Sequence, residues 1–217
     1  MNTEDLIHKL VLDLKPVKRV SSIEARFLFW LCAAVLSLVV AIFVVGLRPD
    51  LLSEITSVKF GFQMGAIAGL AIFSALTAIL ISVPGSEASR MPFILTVASF
   101  LGWFVYLIGT VMTSPAEALH AGEGICCSRT ALLFALPVVG VLAVMAYRAA
   151  PIRPRLVGLF LAFAGAGVGA LAALISCAND NSMHLIVWHF LPLLLIGSAG
   201  VFLGYFFNWQ RRAVSRF

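Results

Sequence analysis

Five residues carry most of the chemistry this sequence offers. Two are the adjacent cysteines of GEGICCSRTALLF (122–134), a third is Cys177, and the others are the histidines of HLIVWHFLP (184–192), His184 and His189. Thiols and imidazoles in one neighbourhood support three kinds of chemistry. Cys126 or Cys127 can be joined to Cys177 in a structural disulfide where the surroundings are oxidising. The same pair can instead switch between thiol and disulfide as conditions change. Or cysteine and histidine together can ligate a soft ion such as zinc, copper or cadmium, with Cys127, Cys177 and His184 as the candidate ligands. The plain alternative is packing alone, because a cysteine at a helix end behaves as a small hydrophobe.

Spacing narrows these choices a little. A bond between Cys126 and Cys127 closes a strained ring, which favours Cys177 as the partner of one of them. CC is not CxxC, so a disulfide oxidoreductase is not indicated. His184 and His189 are five apart, about 140° around an α-helix, and are expected to point different ways. His184 is then the expected site member, and His189, beside Trp188, a packed and hydrogen-bonded histidine.

Whether these residues meet depends on the elements that carry them. Of 217 residues, 61% are hydrophobic and only 12% charged, against about 25% charged in soluble domains. Six apolar runs approach or exceed the roughly 20 residues that cross a bilayer: 27–47, 60–83, 92–112, 131–147, 156–177 and 184–209. The expected fold is all-α, a polytopic membrane protein with six transmembrane helices. A cleaved signal peptide is a poor reading of the start, since the first apolar run follows 26 residues of leader and exceeds the usual 7–15. The chain divides into an N-terminal segment (1–26), the transmembrane unit (27–209) and a basic tail (210–217).

Basic residues set the expected orientation. With the N-terminus in the cytoplasm, 12 of the 15 Lys and Arg face inward, leaving Arg48, Lys59 and Arg129 outside. The positive-inside rule asks for that asymmetry over short loops. Both termini are therefore expected to be cytoplasmic. Cys126, Cys127, Cys177 and His184 are expected at the outer rim, with His120, Glu123 and Asp180 in the outer loops. The basic balance reports topology and anionic lipid contact, so no direct nucleic-acid partner is expected.

The segment before the first span is MNTEDLIHKLVLDLKPVKRVSSIEAR. Leu6, Ile7, Leu10, Val11 and Leu14 share one stripe at helical spacing. Thr3 can cap the start, Glu4 and Asp5 suit the positive end, and Pro16 stops the helix. A helix of this length is marginal alone in water, so it must lie against something. The bilayer surface is one choice. A groove on a protein partner is the other, and the near-neutral charge of the helix fits it at least as well.

The spans hold little chemistry. No Asp, Glu, Lys or Arg lies mid-span, whereas ion-coupled carriers generally keep such groups on their pathway. A small six-helix transporter or metal-handling protein is thus the alternative reading. No nucleophile–base arrangement is recognisable, so the chain is expected not to be an enzyme. Glycines recur at four-residue spacing (Gly61, Gly65 and Gly69; Gly165 and Gly169; Gly200 and Gly204) and are expected to be packing seams.

TEDLIHKLVLDLKPVKRV, the six spans, the outer cysteines at 126/127 and 177, and HLIVWHFLP together resemble the negative regulator of sigma-F family. These are anti-sigma factors of the bacterial inner membrane with six transmembrane helices. The resemblance covers essentially the whole chain. It implies that the segment around Asp5, Leu6, Leu10, Asp13, Leu14, Pro16 and Val17 holds an extracytoplasmic-function sigma factor. It also implies that periplasmic-face cysteines sense oxidant or heavy-metal stress and release it. The family's fifty-residue separation matches Cys127 with Cys177, and Cys126 and His184 stand beside them. No resident cofactor is implied beyond a transient soft ion at those cysteines. The zinc-binding HxxxCxxC motif of common anti-sigma factors is absent, as is a sizeable cytoplasmic domain. The contact surface is therefore small, and the loops at 84–91 and 148–155 are further candidates.

Overall fold

A computed structural model describes residues 2–12, 20–83, 85, 89–113, 121–149 and 151–214. All regular structure among them is helical: α1 (Thr3–Leu12), α2 (Ile23–Val45), α3 (Leu51–Glu54), α4 (Val58–Ser82), α5 (Met91–Thr113), α6 (Ala121–Ala149), α7 (Pro154–Ser176), α8 (Ser182–Leu185), a π turn (Ile186–Phe190) and α9 (Leu191–Val214). Six helical segments are long and apolar enough to cross a membrane, which makes this a multi-pass membrane protein by length and composition. The expected all-α fold with six spans is what the structure shows.

Several ends differ from expectation for local reasons. The cap of α1 is Asn2 rather than Thr3: the Thr3 backbone N–H donates to Asn2 Oδ1 at 2.7 Å, and Asp5 Oδ2 accepts from the Asn2 N–H at 3.4 Å. The Asp5 carboxylate reaching back to the Asn2 N–H is the return half of a capping box, while the Asn2 side chain takes the first helical N–H. α2 begins at Ile23 because Ser22 Oγ accepts from the Ala25 N–H at 3.3 Å, so Arg26 lies inside the first helix. α6 begins ten residues before the expected 131, at Ala121, and carries Cys126, Cys127, Ser128 and Arg129 in its opening turns. A hydropathy reading ends where polar residues begin, but a helix that emerges from the apolar slab continues through them. α9 likewise runs on to Val214, past the expected boundary at 209.

α7 is the axis of the bundle. Of its most apolar window 83% is buried, against 17–44% in the other five spans. Its middle, FAGAGVGALA, is made of small residues, and Gly165 through Ala170 are all buried. α4, α6 and α9 pack directly on it, with α2 bridging α4, α6 and α7. Antiparallel neighbours meet at Thr77 and Thr96 (α4–α5) and at Ser37 and Phe134 (α2–α6). Without a hydrophobic force between helices in lipid, close backbone approach is the main source of packing. At Gly200 a side chain would strike the Gly158 carbonyl, at Gly204 the Pro154 carbonyl, and at Gly169 the Ala131 carbonyl. These are seams, as expected. The second-span glycines divide: Gly69 lies against Ser99 of α5, but Gly61 and Gly65 have nothing within 4 Å among the described residues. Spacing alone overstated the α4 seam.

α7 also fills the place where a central substrate path would run in the transporter alternative. Its ends join the two ends of the bundle, about 34 Å apart for 23 residues at 1.5 Å each.

One end is locked by Arg48. Its side chain is fully buried, donates to Asp50 Oδ1 (2.7 Å) and Asp180 Oδ2 (2.6 Å), and its guanidinium lies 5.4 Å from the Phe60 ring centroid. The Arg48 backbone N–H adds a 3.0 Å bond to the Ile175 carbonyl. The 177–181 linker is thereby tied to the end of α2. Arg48 holds the Asp50 carboxyl below the usual carboxylate range. A depressed acid stabilises the fold fully above its unfolded value near 4 and loses that contribution as pH falls through its folded value. Detergent-solubilised protein should therefore keep its melting temperature from pH 7 to 5 and lose it below about 4. Arg48→Met should cost about 2–3 kcal/mol, less than a fully buried pair because both acids remain partly hydrated, and should flatten the acid limb in thermal melts.

Candidate functional site

The sequence-expected residues converge at the end that Arg48 locks, around four side chains from three parts of the chain. Cys127 comes from α6, Cys177 from the C-cap of α7, His184 from α8 and His189 from the π turn. One ligand-capable atom from each lies within 4.8 Å of all the others. Cys177 Sγ is 3.3 Å from His184 Nε2, and the imidazole centroids of His184 and His189 are 5.5 Å apart. The histidines are 3% and 1% exposed, whereas both cysteines are half-buried. None of the four cysteines, all of which are described, forms a disulfide.

Each residue is held by a local device. Cys127 turns inward from α6, while Cys126, one residue earlier, is exposed and stands outside the cluster. The linker from α7 delivers Cys177 and then Asn181, whose Oδ1 accepts the Met183 and His184 N–H groups at 2.9 and 3.4 Å. That cap starts α8 and fixes His184. Trp188 covers Gly124 of α6 so closely that a side chain at 124 would occupy the indole's position.

His189 is the correction to the sequence reading. It was expected apart from His184, but residues 186–190 are wound as a π turn, with the Leu191 N–H bonding the Ile186 carbonyl. Bonding at i→i+5 brings residues five apart to the same side. The cause lies three residues on. Pro192 has no N–H for the Trp188 carbonyl, and its ring would crowd that carbonyl in an α-helix. The extra residue in the turn relieves the clash, and the Ser128 hydroxyl donates to the freed Trp188 carbonyl at 2.9 Å. Phe190, packed on Phe100, Trp103 and Phe104 of α5, pins the turn from outside. His189 was also expected to be hydrogen-bonded, yet neither of its ring nitrogens has a hydrogen-bond partner among the described residues.

The electrostatics favour a reactive sulfur. Cys177, just beyond the membrane-spanning part of α7, is held well below the ordinary thiol range. Chiefly this is the hydrogen bond from Cys127, opposed by burial and helped by His189 and the Asn179 backbone. A thiolate is the nucleophile and metal ligand that a thiol is not. The arrangement can therefore join two sulfurs or ligate a soft cation with sulfur and nitrogen.

The remaining expected residues lie elsewhere. Asp5 and Leu6 are on α1, where Leu6, Ile7, Val11 and Leu12 are all exposed. Leu10 is in the same helix. Asp13, Leu14, Pro16 and Val17 fall outside the described residues, as does His120. Glu123 is in the first turn of α6 and not in a loop. Arg48 and Ser128, which support the cluster, were not anticipated as site residues. Arg48 meets Asp180 from 132 positions away and left no local signal.

Comparison with known proteins bears on what this arrangement serves. No solved structure matches the chain. Over 209 residues it is 26% identical to the "Probable anti-sigma-F factor NrsF" of Azospira oryzae, covering 94% of this chain and 97% of that protein. The family model described as negative regulator of sigma F matches residues 10–209, nearly the full length including every span and the thiol–imidazole cluster, and the chain belongs to that family of anti-sigma factors.

Proposed function

We propose that the protein tethers an extracytoplasmic-function sigma factor to the bacterial inner membrane through its N-terminal segment. It lets the factor go when Cys127 and Cys177, at the opposite end of the bundle, meet an oxidant or a soft metal ion. The observation that carries this reading is a division of labour within one family member. An amphipathic helix with its apolar side exposed precedes the first span, while a cluster of two thiols and two imidazoles closes the far end. The distribution of Lys and Arg supports a cytoplasmic α1 and a periplasmic cluster.

The oxidative step balances simply. A peroxide takes two electrons from the Cys127 and Cys177 sulfurs, a disulfide forms, and two protons leave with the two peroxide oxygens as water. Joining the sulfurs requires their approach to about 2.05 Å, which moves α6 against the end of α7. α7 carries that movement to its other end through the glycine seams with α6 and α9. A coupling of about 1–3 kcal/mol between the ends changes sigma-factor affinity by roughly 5- to 150-fold.

The test is co-purification of a candidate sigma factor with the tagged protein, with and without residues 1–20, under reducing and oxidising conditions. Deleting 1–20 should leave a membrane-inserted protein that retains no sigma factor. Cys127→Ser and Cys177→Ser should each retain it regardless of peroxide. Full retention by the truncated chain defeats the tether. Normal release from both cysteine variants defeats the sensor.

A further inference from the structure

The geometry points to a resident zinc site at Cys127, Cys177, His184 and His189, a closed four-ligand clamp tying α6, α7 and the start of the sixth span together. It rests on the reading above only in sharing the two thiols.

Three independent features of the structure lead there. The first is the donor set. Two sulfurs and two imidazole nitrogens are the ligands of closed, tetrahedral zinc sites, and N2S2 sets favour zinc among the common divalent ions. Bond lengths of about 2.3 Å to sulfur and 2.0–2.1 Å to nitrogen place tetrahedral ligand atoms roughly 3.4–3.8 Å apart. The four atoms already lie within 4.8 Å of one another, and the Cys177–His184 pair, at 3.3 Å, is slightly closer than that spacing. Closing the set takes small side-chain adjustments with no change of fold.

The second feature is His189. It is 1% exposed, and both its ring nitrogens are buried without a hydrogen-bond partner among the described residues. Leaving such a group unpaired forfeits the hydration it had in water with nothing in return. An ion at the cluster would take one of those nitrogens directly. The third feature is the π turn. π turns are rare and gather at functional sites. Here the turn presents to Cys177 a histidine that an α-helix would direct elsewhere, and Pro192, Ser128 and the aromatic contacts of Phe190 all maintain it. Packing alone gives no reason for that expense at a histidine.

Charge completes the case. Two thiolates, two neutral imidazoles and one Zn2+ sum to zero, so the filled site carries no net charge into the membrane edge. With all four positions taken by protein, no open position remains for a substrate, which makes the ion a structural clamp and not a catalyst. Oxidising the sulfurs, or exchanging the ion for a softer one, redraws the spacing of Cys127 and Cys177, which a serine at either position cannot do. That gives oxidants and heavy metals one shared point of entry.

The test uses full-length protein purified in detergent, without sigma factor. Metal analysis should find one zinc per chain, and Co2+ loaded into stripped protein should give the visible bands of tetrahedral cobalt with thiolate charge transfer. His189→Gln should weaken zinc binding by more than the roughly 10- to 100-fold that losing a partner behind a ligand costs. Cys127→Ser with Cys177→Ser should abolish it, and Cys32→Ser, on the lipid-facing side of α2, should leave it unchanged. Substoichiometric metal, a cobalt spectrum lacking thiolate charge transfer, or an unaltered affinity in His189→Gln overturns the site. The cobalt spectrum of the unaltered chain stands even if a variant fails to fold. A negative metal result removes the ion and leaves the anti-sigma reading intact. A metal-loaded protein that captures no sigma factor does the reverse.

Discussion

Ile7→Asp combined with Val11→Asp should lower sigma-factor retention by between about a hundredfold and ten-thousandfold while the six-helix bundle melts unchanged. The two residues are one helical turn apart on α1, at i and i+4, and each is more than half exposed (55% and 57%). Burying a side chain of that size against a partner contributes about 1.5–3 kcal/mol, so losing both removes roughly 3–6 kcal/mol. Every 1.4 kcal/mol is a factor of ten in affinity. The bundle is indifferent because the described side chains of α1 are exposed and belong to none of its buried clusters. His8→Ser, off the apolar stripe, serves as the matched control. Co-purification and vesicle flotation read the outcome together. If α1 instead lies on the bilayer, the double variant detaches the segment from vesicles but retains the sigma factor, and the tether is then sought in the loops around 84–91 and 148–155.

The sequence made some of this legible and hid the rest for identifiable reasons. The six spans were readable because bilayer thickness fixes their length and lipid forbids unpaired backbone, so hydropathy alone finds them. The meeting of Cys177 with His184 was readable because both follow from where two spans end. The inward side of Cys127 was implied only by family resemblance, and the structure adds that Cys126 points away. His189 was missed because the helical wheel assumes 100° per residue throughout, and Pro192 breaks that assumption three residues later. HLIVWHFLP contained the signal, but it had to be read as a register change and not as a stop. The opening turns of α6 were missed because Ser128 and Arg129 look like loop to a hydropathy measure. The Arg48–Asp180 clamp had no signal at all, since a contact across 132 positions is a property of the packed bundle.

Glycine spacing offers the sharpest test of what packing adds to pattern. Gly200→Ala and Gly65→Ala are the same substitution at the same kind of four-residue spacing, yet they should shift stability in opposite directions. In a helix interior alanine is favoured over glycine by about 0.8–1.0 kcal/mol. Among the described residues nothing lies within 4 Å of a methyl group at Gly65, so Gly65→Ala should be neutral or stabilising by a few tenths to about 1 kcal/mol. At Gly200 the methyl group meets the Gly158 carbonyl and Ala162, and a backbone carbonyl in a packed helix cannot rotate away. α7 and α9 must separate, and the loss spreads along their whole interface, through Gly158, Gly204 and the Phe163–Gly197 contact. Overpacking costs about 1–3 kcal/mol where side chains can yield and more where they cannot, so Gly200→Ala should lose about 3 kcal/mol and Gly200→Val should prevent folding. Thermal or SDS-titrated unfolding of the purified variants measures both. Because α7 is also the element that joins Cys177 to the opposite end of the bundle, Gly200→Ala should weaken peroxide-driven sigma release even where enough protein folds to assay. Equal shifts at 65 and 200 would mean that α7 and α9 do not meet as closely as the structure places them, and the rigid path from the thiol cluster to the opposite end of the bundle would go with them.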